Sequence, residues 1–345
     1  MAEGLDEARV GSWLAEHVDG ATAPFAFRLI AAGGSNLTFE VTDAAGRRWA
    51  LRRPPVAAVL ATAHDMSREW RIISALDAGS DVPVPAAVAF CSDPDVTGAP
   101  FSVMGFVDGL ILRDQQSAAH LTAARCEVAT DSLVDTQVML HALDVDRIGL
   151  GDLGRRAGYV ERQLNRWRTQ YERSKSRELP LVDELHDRLL ACVPREQRPG
   201  AIAHGDYRFD NTMLGDDCRI AAVFDWELCT LGEAVADFCW SLMYWADPGD
   251  EVGFLQSPPT ALPTFPRRAE VAARYAARSG LDLSDLPYYQ AFSWWKMACI
   301  VEGAYARRRA GARGGARDSS DADAIAHRVE EFLEAGHAAA SSAKL

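Results

Sequence analysis

The chain has 345 residues, of which 36 are Lys or Arg and 49 are Asp or Glu, so its formal net charge is −13. A hydrophobic content of 48% is that of a globular protein with enough apolar mass for one large or two modest domains. The acidic balance argues against a general nucleic-acid binder, because phosphate backbones are held by basic surfaces.

The cysteines and the N-terminus predict the compartment. The seven cysteines are scattered and form no C-x-x-C pair, which argues against a zinc knuckle or a disulfide framework. The N-terminal stretch "MAEGLDEARV" is acidic and lacks the apolar core of a signal peptide. No apolar run approaches the roughly 18 residues needed to span a bilayer. We therefore expect a soluble, cytoplasmic protein with no nucleic-acid or membrane partner, and its oligomeric state stays open.

The first third of the chain predicts a small sheet with one main helix. Residues 5–18 have the apolar spacing of a short helix. Residues 25–53 predict a three-stranded antiparallel meander, because "LTFEVT" alternates apolar and polar residues and Gly-containing breaks of hairpin length separate the runs. Residues 65–78 change to helical spacing. The runs "AAVAFC" and "PFSVMGFV" then predict two more strands around the turn "SDPDVTG".

The rest of the chain is mostly helical in pattern. Helices are predicted at 118–143, 155–175 and 183–192, and again from 233 to a last helix near 321–336. Two short strand-like runs interrupt them, and each ends in a polar motif. The predicted fold class is α+β, with a sheet-rich lobe of residues 1–107 followed by a larger helical lobe of residues 108–345.

The two polar motifs hold groups suited to phosphoryl transfer. The stretch "AIAHGDYRFDN" places His204, Asp206 and Asn211 after an apolar run, and "VFDWE" places Asp225 after the next. A carboxylate at the start of a loop suits a general base, and an amide oxygen with a second carboxylate suits magnesium. A capping or turn role explains one such motif but does not easily explain two in tandem.

Candidate phosphate-binding groups lie in the first lobe. The turn "AAGGSN" offers Gly33 and Gly34, which allow backbone close to a phosphate, with Ser35 and Asn36 as further donors. A two-glycine turn is more often only a turn. Arg52 shares a strand face with Ala50 and is predicted to point into the cleft, while Glu69 on the following helix could pair with it. Taken alone, an edge-strand Arg and an exposed helix Glu are the competing interpretations.

The pattern H-G-D-x-x-x-x-N followed by a strand and D-W-E resembles the aminoglycoside phosphotransferase family, which includes choline kinases. The resemblance runs from "GGSNLTFEV" through "ALRRPP", "REWRIISAL", "PFSVMGFVDG", "AIAHGDYRFDNTML" and "AAVFDWELCTLGEAVADFCW" to "WWKMACIVEGAY". It implies a protein-kinase-like bilobal fold and an ATP- and Mg²⁺-dependent phosphotransferase. "LRRPP", "YVERQLNRWRTQYERS" and "HGDYRFDN" are most similar to the branch that includes domains fused to acyl-CoA dehydrogenases.

The resemblance also implies the roles of individual residues. Asp206 matches the catalytic base, Asn211 and Asp225 match the magnesium ligands, and His204 and Asp237 match residues that support the loop. A hinge at residues 104–107 would hydrogen-bond adenine through its backbone. One departure is Arg52, where kinases usually have lysine; a guanidinium can also bind phosphate, with a different geometry. The residues expected to bind the nucleotide are Gly33, Gly34, Ser35, Asn36, Arg52, Glu69, Met104, Gly105 and Val107.

The acceptor is predicted less sharply than the reaction. Residues 155–177 contain eight Arg or Lys and two Glu, a net charge of +6 in an acidic chain. A basic helix beside the acceptor favours an anionic alcohol, such as a hydroxyacyl-CoA-like compound, over a polycationic aminoglycoside. A solvated basic face explains the pattern about as well. Three alternatives stay open: a weakly active nucleotide-binding pseudokinase, a true aminoglycoside kinase and a metal-dependent hydrolase.

Overall fold

The structure, a computed structural model, describes residues 5–32, 36–54, 66–309 and 322–345. Its N-terminal part contains a five-stranded antiparallel sheet in the order β1-β2-β3-β5-β4. The strands are β1 Ala26–Ala32, β2 Leu37–Thr42, β3 Arg48–Arg53, β4 Ala87–Cys91 and β5 Phe101–Gly105. The predicted meander is therefore present, and β3 lies in the middle of the sheet. A short helix α3 (Pro94–Thr97), capped by Asp93, forms where the sequence predicts only a turn.

The two faces of the sheet have different neighbours. One face packs on the helix α1 (Glu7–His17), and Val10 and Leu14 join Phe39 and Leu51 in a buried apolar cluster. The helix α2 (Met66–Gly79) packs against β4 and β5 and also touches residues 226–228. Its buried face joins the core of the helical part, so α2 connects the sheet to the second half of the molecule.

The second half is built from helices. They are α4 Gln115–Ala118, α5 Ala123–His141, α6 Tyr159–Ser174, α7 Pro180–Ala191, α8 Ala234–Leu242, α9 Arg268–Ser279, α10 Leu286–Arg309 and α11 Ala322–Ser342. The predicted helix 118–143 is wrong at its start. Thr122 accepts a hydrogen bond from the Arg125 N–H and begins α5 as a separate helix. The last helix continues past residue 336 to Ser342.

Two small antiparallel sheets carry the polar motifs. Strand β6 (Pro199–Ala203) pairs with β9 (Thr230–Glu233), and β7 (Thr212–Leu214) pairs with β8 (Ile220–Val223). Strand β6 ends immediately before His204, and β8 ends two residues before Asp225. The strand β9 is not predicted by the sequence pattern. These short strands place the ends of both motifs side by side.

The chain leaving β5 is docked onto β7. Leu110 and Leu214 exchange two backbone hydrogen bonds of 2.8 Å each. Gly109 has φ of +158°, and a Cβ there would lie 2.2 Å from the Leu214 carbonyl oxygen, so this close approach requires glycine. Val223 N–H also donates to the Pro83 carbonyl at 2.8 Å. The sheet is thereby held against the hairpin that carries the second motif.

Among the described residues, no helix combines the length and apolar character that crossing a membrane requires.

Candidate active site

His204 joins the two motifs. Its side chain is fully buried, and its Nδ1 lies 3.2 Å from the backbone N of Asp206 while its Nε2 lies 2.9 Å from the carbonyl oxygen of Phe224. An N–H donor at Asp206 requires a lone pair on Nδ1, so the proton is on Nε2 and is donated to Phe224. The neutral ring therefore ties the loop after β6 to the end of β8.

Asp237, in the first turn of α8, holds the same loop from below. One carboxylate oxygen accepts the Gly205 N–H at 2.9 Å, and the other accepts the His204 N–H at 3.2 Å and His141 Nε2 at 3.0 Å. Burial would raise the pKa of Asp237, but the hydrogen bonds from His141 and the Gly205 amide hold it below its ordinary value. Asp237 is thus an ionised anchor for the loop.

Asn211 fixes the side chain of Asp206. The Asn211 Nδ2 group donates to the carboxylate Oδ2 and to the backbone oxygen of Asp206, both at 2.8 Å. A 3₁₀ turn at Phe209–Asn211 makes this return possible within five residues. Asp206 therefore has one defined orientation, which a general base needs.

Arg208 is a site residue that the sequence analysis missed. Its Nε lies 3.2 Å from Asp206 Oδ1 and 3.1 Å from Asp210 Oδ1, and its guanidinium stacks 4.7 Å from the centre of the Tyr244 ring. Burial, and then the charge of Asp206, raise the pKa of Tyr244 well above its ordinary value. The only sequence signal for Arg208 was its position between two acids of the motif. It fixes the second oxygen of Asp206 and balances the charge of the acids.

Arg52 reaches across from the sheet to the second motif. Its guanidinium contacts Glu69 Oε1 at 2.9 Å through Nη1 and Asp225 Oδ1 at 3.0 Å through Nη2. The exposed fractions of these side chains are 13% for Arg52, 5% for Glu69 and 34% for Asp225. As the sequence predicts, Arg52 points into the cleft and pairs with Glu69, and it adds a third partner that the sequence did not indicate.

The ion pair compensates only part of the cost of burying Glu69. Burial raises the pKa of Glu69, and the nearby charge of Asp225 raises it further, while Arg52 opposes both effects. Burial would lower the pKa of Arg52, yet Glu69 and then Asp225 raise it above its ordinary value. The pKa of Glu69 is raised because burial and Asp225 together outweigh Arg52, and that of Arg52 is raised because two carboxylates outweigh its burial.

Asn211 and Asp225 present oxygens of the kind that Mg²⁺ binds. The Asn211 Nδ2 group is used on Asp206, which leaves its amide oxygen free of any hydrogen bond within the part of the chain that the structure describes. Phe224 N–H donates to the Asn211 carbonyl at 2.9 Å, so the two motifs run side by side here. Asp225 has φ of +65°, a left-handed conformation that is uncommon for aspartate. Magnesium commonly takes one or two such protein oxygens and completes its shell with phosphates and water, which these two residues fit.

Of the other residues predicted to bind the nucleotide, the structure describes four. Gly33, Gly34 and Ser35 lie outside the described residues, whereas Asn36 is buried and lines the cavity described below. Met104 is paired across the sheet with both β3 and β4, and the Gly105 N–H donates to the Ala86 carbonyl at 2.8 Å. Val107 is half-buried and has no backbone hydrogen bond among the residues described. Among the described hinge residues 104–107, Val107 is thus the one whose backbone N–H and carbonyl both lack such a bond.

A cavity of about 460 Å³ lies next to the loop that carries Asp206. It is lined by residues from α2, the loop, α6, α8 and α10, among them Glu69, Gly205, Arg166, Trp240 and Lys296. An open groove of about 760 Å³ follows the exposed face of α6 and is lined by Arg162, Arg166 and Arg173 with polar neighbours. Because Arg166 lines both spaces, the predicted basic helix faces the cleft.

Four of the eight basic residues in segment 155–177 already pair with carboxylates. These residues are Arg156, Arg168, Lys175 and Arg177. Arg162 donates to the carbonyls of Arg155 and Ala157. Within the described ranges, Arg162, Arg166 and Arg173 have no carboxylate partner, and their spacing places them on one face of α6. The groove is therefore the positively charged side of the helix.

Comparisons with known proteins agree with this geometry. The profile of the phosphotransferase enzyme family (APH) matches residues 26–295. Acyl-CoA dehydrogenase family member 11 of Rattus norvegicus is 32% identical over 311 residues, which is 88% of this chain and 39% of that protein. The chain thus spans about two fifths of the length of this curated relative.

Solved structures extend the likeness to the fold. A crystal structure from Ralstonia eutropha JMP134, assigned to the aminoglycoside phosphotransferases, has a TM-score of 0.82 and 33% identity, and 98% of each chain is covered. Choline kinase from Cryptosporidium parvum shares the fold with a TM-score of 0.65 and 12% identity, with 96% of each chain covered. The fold is therefore kinase-like, as predicted, and the chain belongs to the phosphotransferase enzyme family.

Proposed function

We propose that the protein transfers the γ-phosphoryl group of ATP to a hydroxyl of a small molecule in a magnesium-dependent reaction. The observation that carries the proposal is the assembly of Asp206, Asn211, Asp225, Arg52 and Glu69 at one place, although they come from distant parts of the sequence. Each role that phosphoryl transfer requires, a base, metal ligands and a cation, has a candidate there.

In this proposal, one lobe of the chain binds the nucleotide and the other binds the acceptor. Residues 1–107 form the nucleotide-binding lobe, with adenine bound at the backbone of Val107 and the phosphates bound by residues 33–36. Residues 108–345 form the lobe that holds the catalytic loop and the acceptor. The docking of Leu110 on β7 supports this division, because it places the end of the hinge next to the proposed metal ligands.

Asp206 would orient the acceptor hydroxyl and take its proton as the phosphoryl group transfers. Asn211 and Arg208 hold the carboxylate in place from opposite oxygens. Arg52 would offset the charge on the phosphates, for which it must share its guanidinium with Asp225. Magnesium held by Asn211 and Asp225 would supply charge neutralisation of the phosphates.

The acceptor is proposed to be an anionic alcohol bound in the 460 Å³ cavity. The cavity is lined by Arg68, Arg166 and Lys296, and Arg166 also lines the arginine groove on α6. A polycationic aminoglycoside would meet these cations, so the arrangement disfavours it. The similarity to proteins named as acyl-CoA dehydrogenases supports a hydroxyacyl-CoA-like acceptor. The cytoplasmic location stays a prediction from the sequence.

Two substitutions test the assignment of base and metal ligand. Asp206→Asn is expected to keep magnesium-dependent ATP binding and to lose transfer by about 10²–10⁴-fold, since it removes the proton acceptor. Asp225→Asn is expected to weaken the binding of ATP itself when magnesium is present. Binding is measured by calorimetry, and transfer by the release of labelled phosphate into a panel of hydroxy acids, hydroxyacyl-CoAs and aminoglycosides.

The matched control is Asp217→Asn, an exposed acid in the turn between β7 and β8. It should leave both binding and transfer unchanged. Transfer by Asp206→Asn at the wild-type rate would contradict the base assignment. Binding of magnesium and ATP by the wild-type protein without transfer to any acceptor or water would favour the pseudokinase alternative.

A further inference from the structure

Lys296 is a buried cation that pairs with no carboxylate among the residues that the structure describes. It lies in the middle of α10 with 8% of its surface exposed and lines the 460 Å³ cavity. Its Nζ sits 3.6 Å from the centre of the Trp240 ring. Across the described residues it forms no hydrogen bond and no ion pair. Because a lysine is almost never fully buried without a partner, its position calls for an explanation.

Two further donors face the same cavity. Arg166 lines it from α6 and has no carboxylate partner within the described ranges, and its guanidinium lies 5.4 Å from the Trp167 ring centre. Trp240 lines it from α8, and its buried indole N–H has no acceptor among the residues described. Three elements thus bring these side chains to one cavity, and none of the three donates a hydrogen bond to another of the described residues.

The carboxylates nearby belong to other contacts. Glu69 and Glu227 also line the cavity, but their charges act on Arg52, and Glu69 is in direct contact with it. Asp237 faces Lys296 from α8 and Asp206 from the loop, and Tyr159 lines the cavity from α6. Burial lowers the pKa of Lys296 to about 8, which Arg166 reinforces and the two aspartates oppose. With a pKa of about 8, Lys296 is still mostly protonated at neutral pH.

We propose that Lys296, Arg166 and the Trp240 indole form an anion subsite that binds one carboxylate or phosphate group of the acceptor. The subsite lies in the cavity that Gly205 also lines, next to Asp206, so an anion held there would direct a hydroxyl on the same molecule toward the base. The acceptor role rests on the proposed function. The binding of an anion by these residues does not.

Lysine NMR tests the subsite without turnover. The chain has three lysines, Lys175, Lys296 and Lys344, so a protein labelled at the lysine ε-carbons gives three side-chain signals to assign. The Lys296 signal is identified by its loss in Lys296→Arg. Acetate and inorganic phosphate, as separate probes, are expected to raise the pKa of Lys296 by about one unit and to leave that of Lys175 unchanged.

Two variants on the same helix serve as test and control. Arg166→Met should weaken the anion response of Lys296, whereas Arg173→Met, which lines only the outer groove, should preserve it. A response to acetate alone identifies a carboxylate site, and a response to phosphate alone identifies a phosphate site. If neither anion shifts the pKa of Lys296 at millimolar concentration, or if Arg166→Met responds as the wild type does, the subsite is wrong.

A second measurement concerns the acceptor. Hydroxycarboxylates are compared with their methyl esters as phosphate acceptors, and the preference is the ratio of kcat/KM for the acid to that for the ester. Lys296→Met is expected to reduce this ratio by about 10- to 100-fold, mainly by raising KM for the acid. Lys296→Arg should restore part of the preference. An NMR response without phosphorylation of any acceptor would support the subsite and contradict the proposed function. Phosphorylation with an unchanged preference in Lys296→Met would show that the acceptor anion binds elsewhere and would overturn the proposal.

Discussion

Replacing Arg52 tests how one guanidinium holds two carboxylates. The contact with buried Glu69 is an ion pair, and breaking a buried ion pair by removing one partner typically costs about 3–5 kcal/mol. The contact with Asp225, a third exposed, contributes about 0.2–1 kcal/mol because solvent screens it. In Arg52→Lys a single ammonium replaces the fork, and we expect about tenfold weaker ATP binding, equivalent to about 1.4 kcal/mol.

Arg52→Met should affect the folding stability as well. It leaves Glu69 buried without its cation, which costs up to about 3–5 kcal/mol. Glu69 can reduce this cost by binding a proton, since burial already raises its pKa. A carboxyl group with a raised pKa in the folded state lowers the stability as the pH increases above its unfolded pKa. The free energy of unfolding of Arg52→Met should therefore fall further below that of the wild type at pH 8 than at pH 5.

The assay is urea denaturation followed by tryptophan fluorescence, without nucleotide or magnesium. Arg48→Met is the matched control, because Arg48 lies on the same strand and pairs with the exposed Asp108. Its second partner, the buried Glu40, keeps Arg28 as a cation in this variant. It should cost less than about 1 kcal/mol at either pH. Adding Glu69→Gln to Arg52→Met should recover part of the stability at pH 8. The reasoning would be refuted if Arg52→Met lost the same free energy of unfolding at both pH values and Glu69→Gln restored none of it.

Two more substitutions follow from the loop geometry. Asp237→Ala removes a buried carboxylate that accepts four hydrogen bonds and should cost about 3–5 kcal/mol at pH 7, read from the urea midpoint. Its control, Asp282→Ala at an exposed position, should change the stability little. Because the folded pKa of Asp237 is lowered, its contribution is present above pH ~4 and is lost as the pH falls, so the difference from wild type should shrink in acid. Gly205→Ala and Gly46→Ala both place alanine at positive φ and should each cost about 1–3 kcal/mol. Only Gly205→Ala also puts a Cβ 3.1 Å from Leu228, so it alone should slow transfer, and equal rates in the two variants would contradict this.

The sequence predicts the fold class and the sheet well, because alternation and helical spacing are local properties of the chain. The meander, α2, α6 and the later helices are where the patterns indicate them. The break between α4 and α5 was missed because apolar spacing continues through it, and only the Thr122 cap reveals the new start. Strand β9 was missed because a four-residue strand has too few positions to show a period.

The site was predicted in part for a related reason. The motifs indicate Asp206, Asn211 and Asp225, but their proximity depends on hydrogen bonds between segments that are distant in sequence. The contact of Arg52 with Asp225 joins residues 173 positions apart, and no local pattern encodes it. The sequence places Lys296 within a helical motif but does not predict its burial. That burial against Trp240 follows from how α10 packs on α8.

The hydrogen bond from His204 to Phe224 has a consequence for motion. It makes the base and both proposed metal ligands part of one body, since the loop after β6 and the end of β8 cannot separate without breaking it. Arg52, in contrast, is attached to the sheet. A rotation of the sheet relative to the helices would change the distance between cation and metal ligand while the geometry around Asp206 stayed constant. Opening and closing of the cleft would therefore change how closely Arg52 approaches the phosphates, while Asp206 would keep its position.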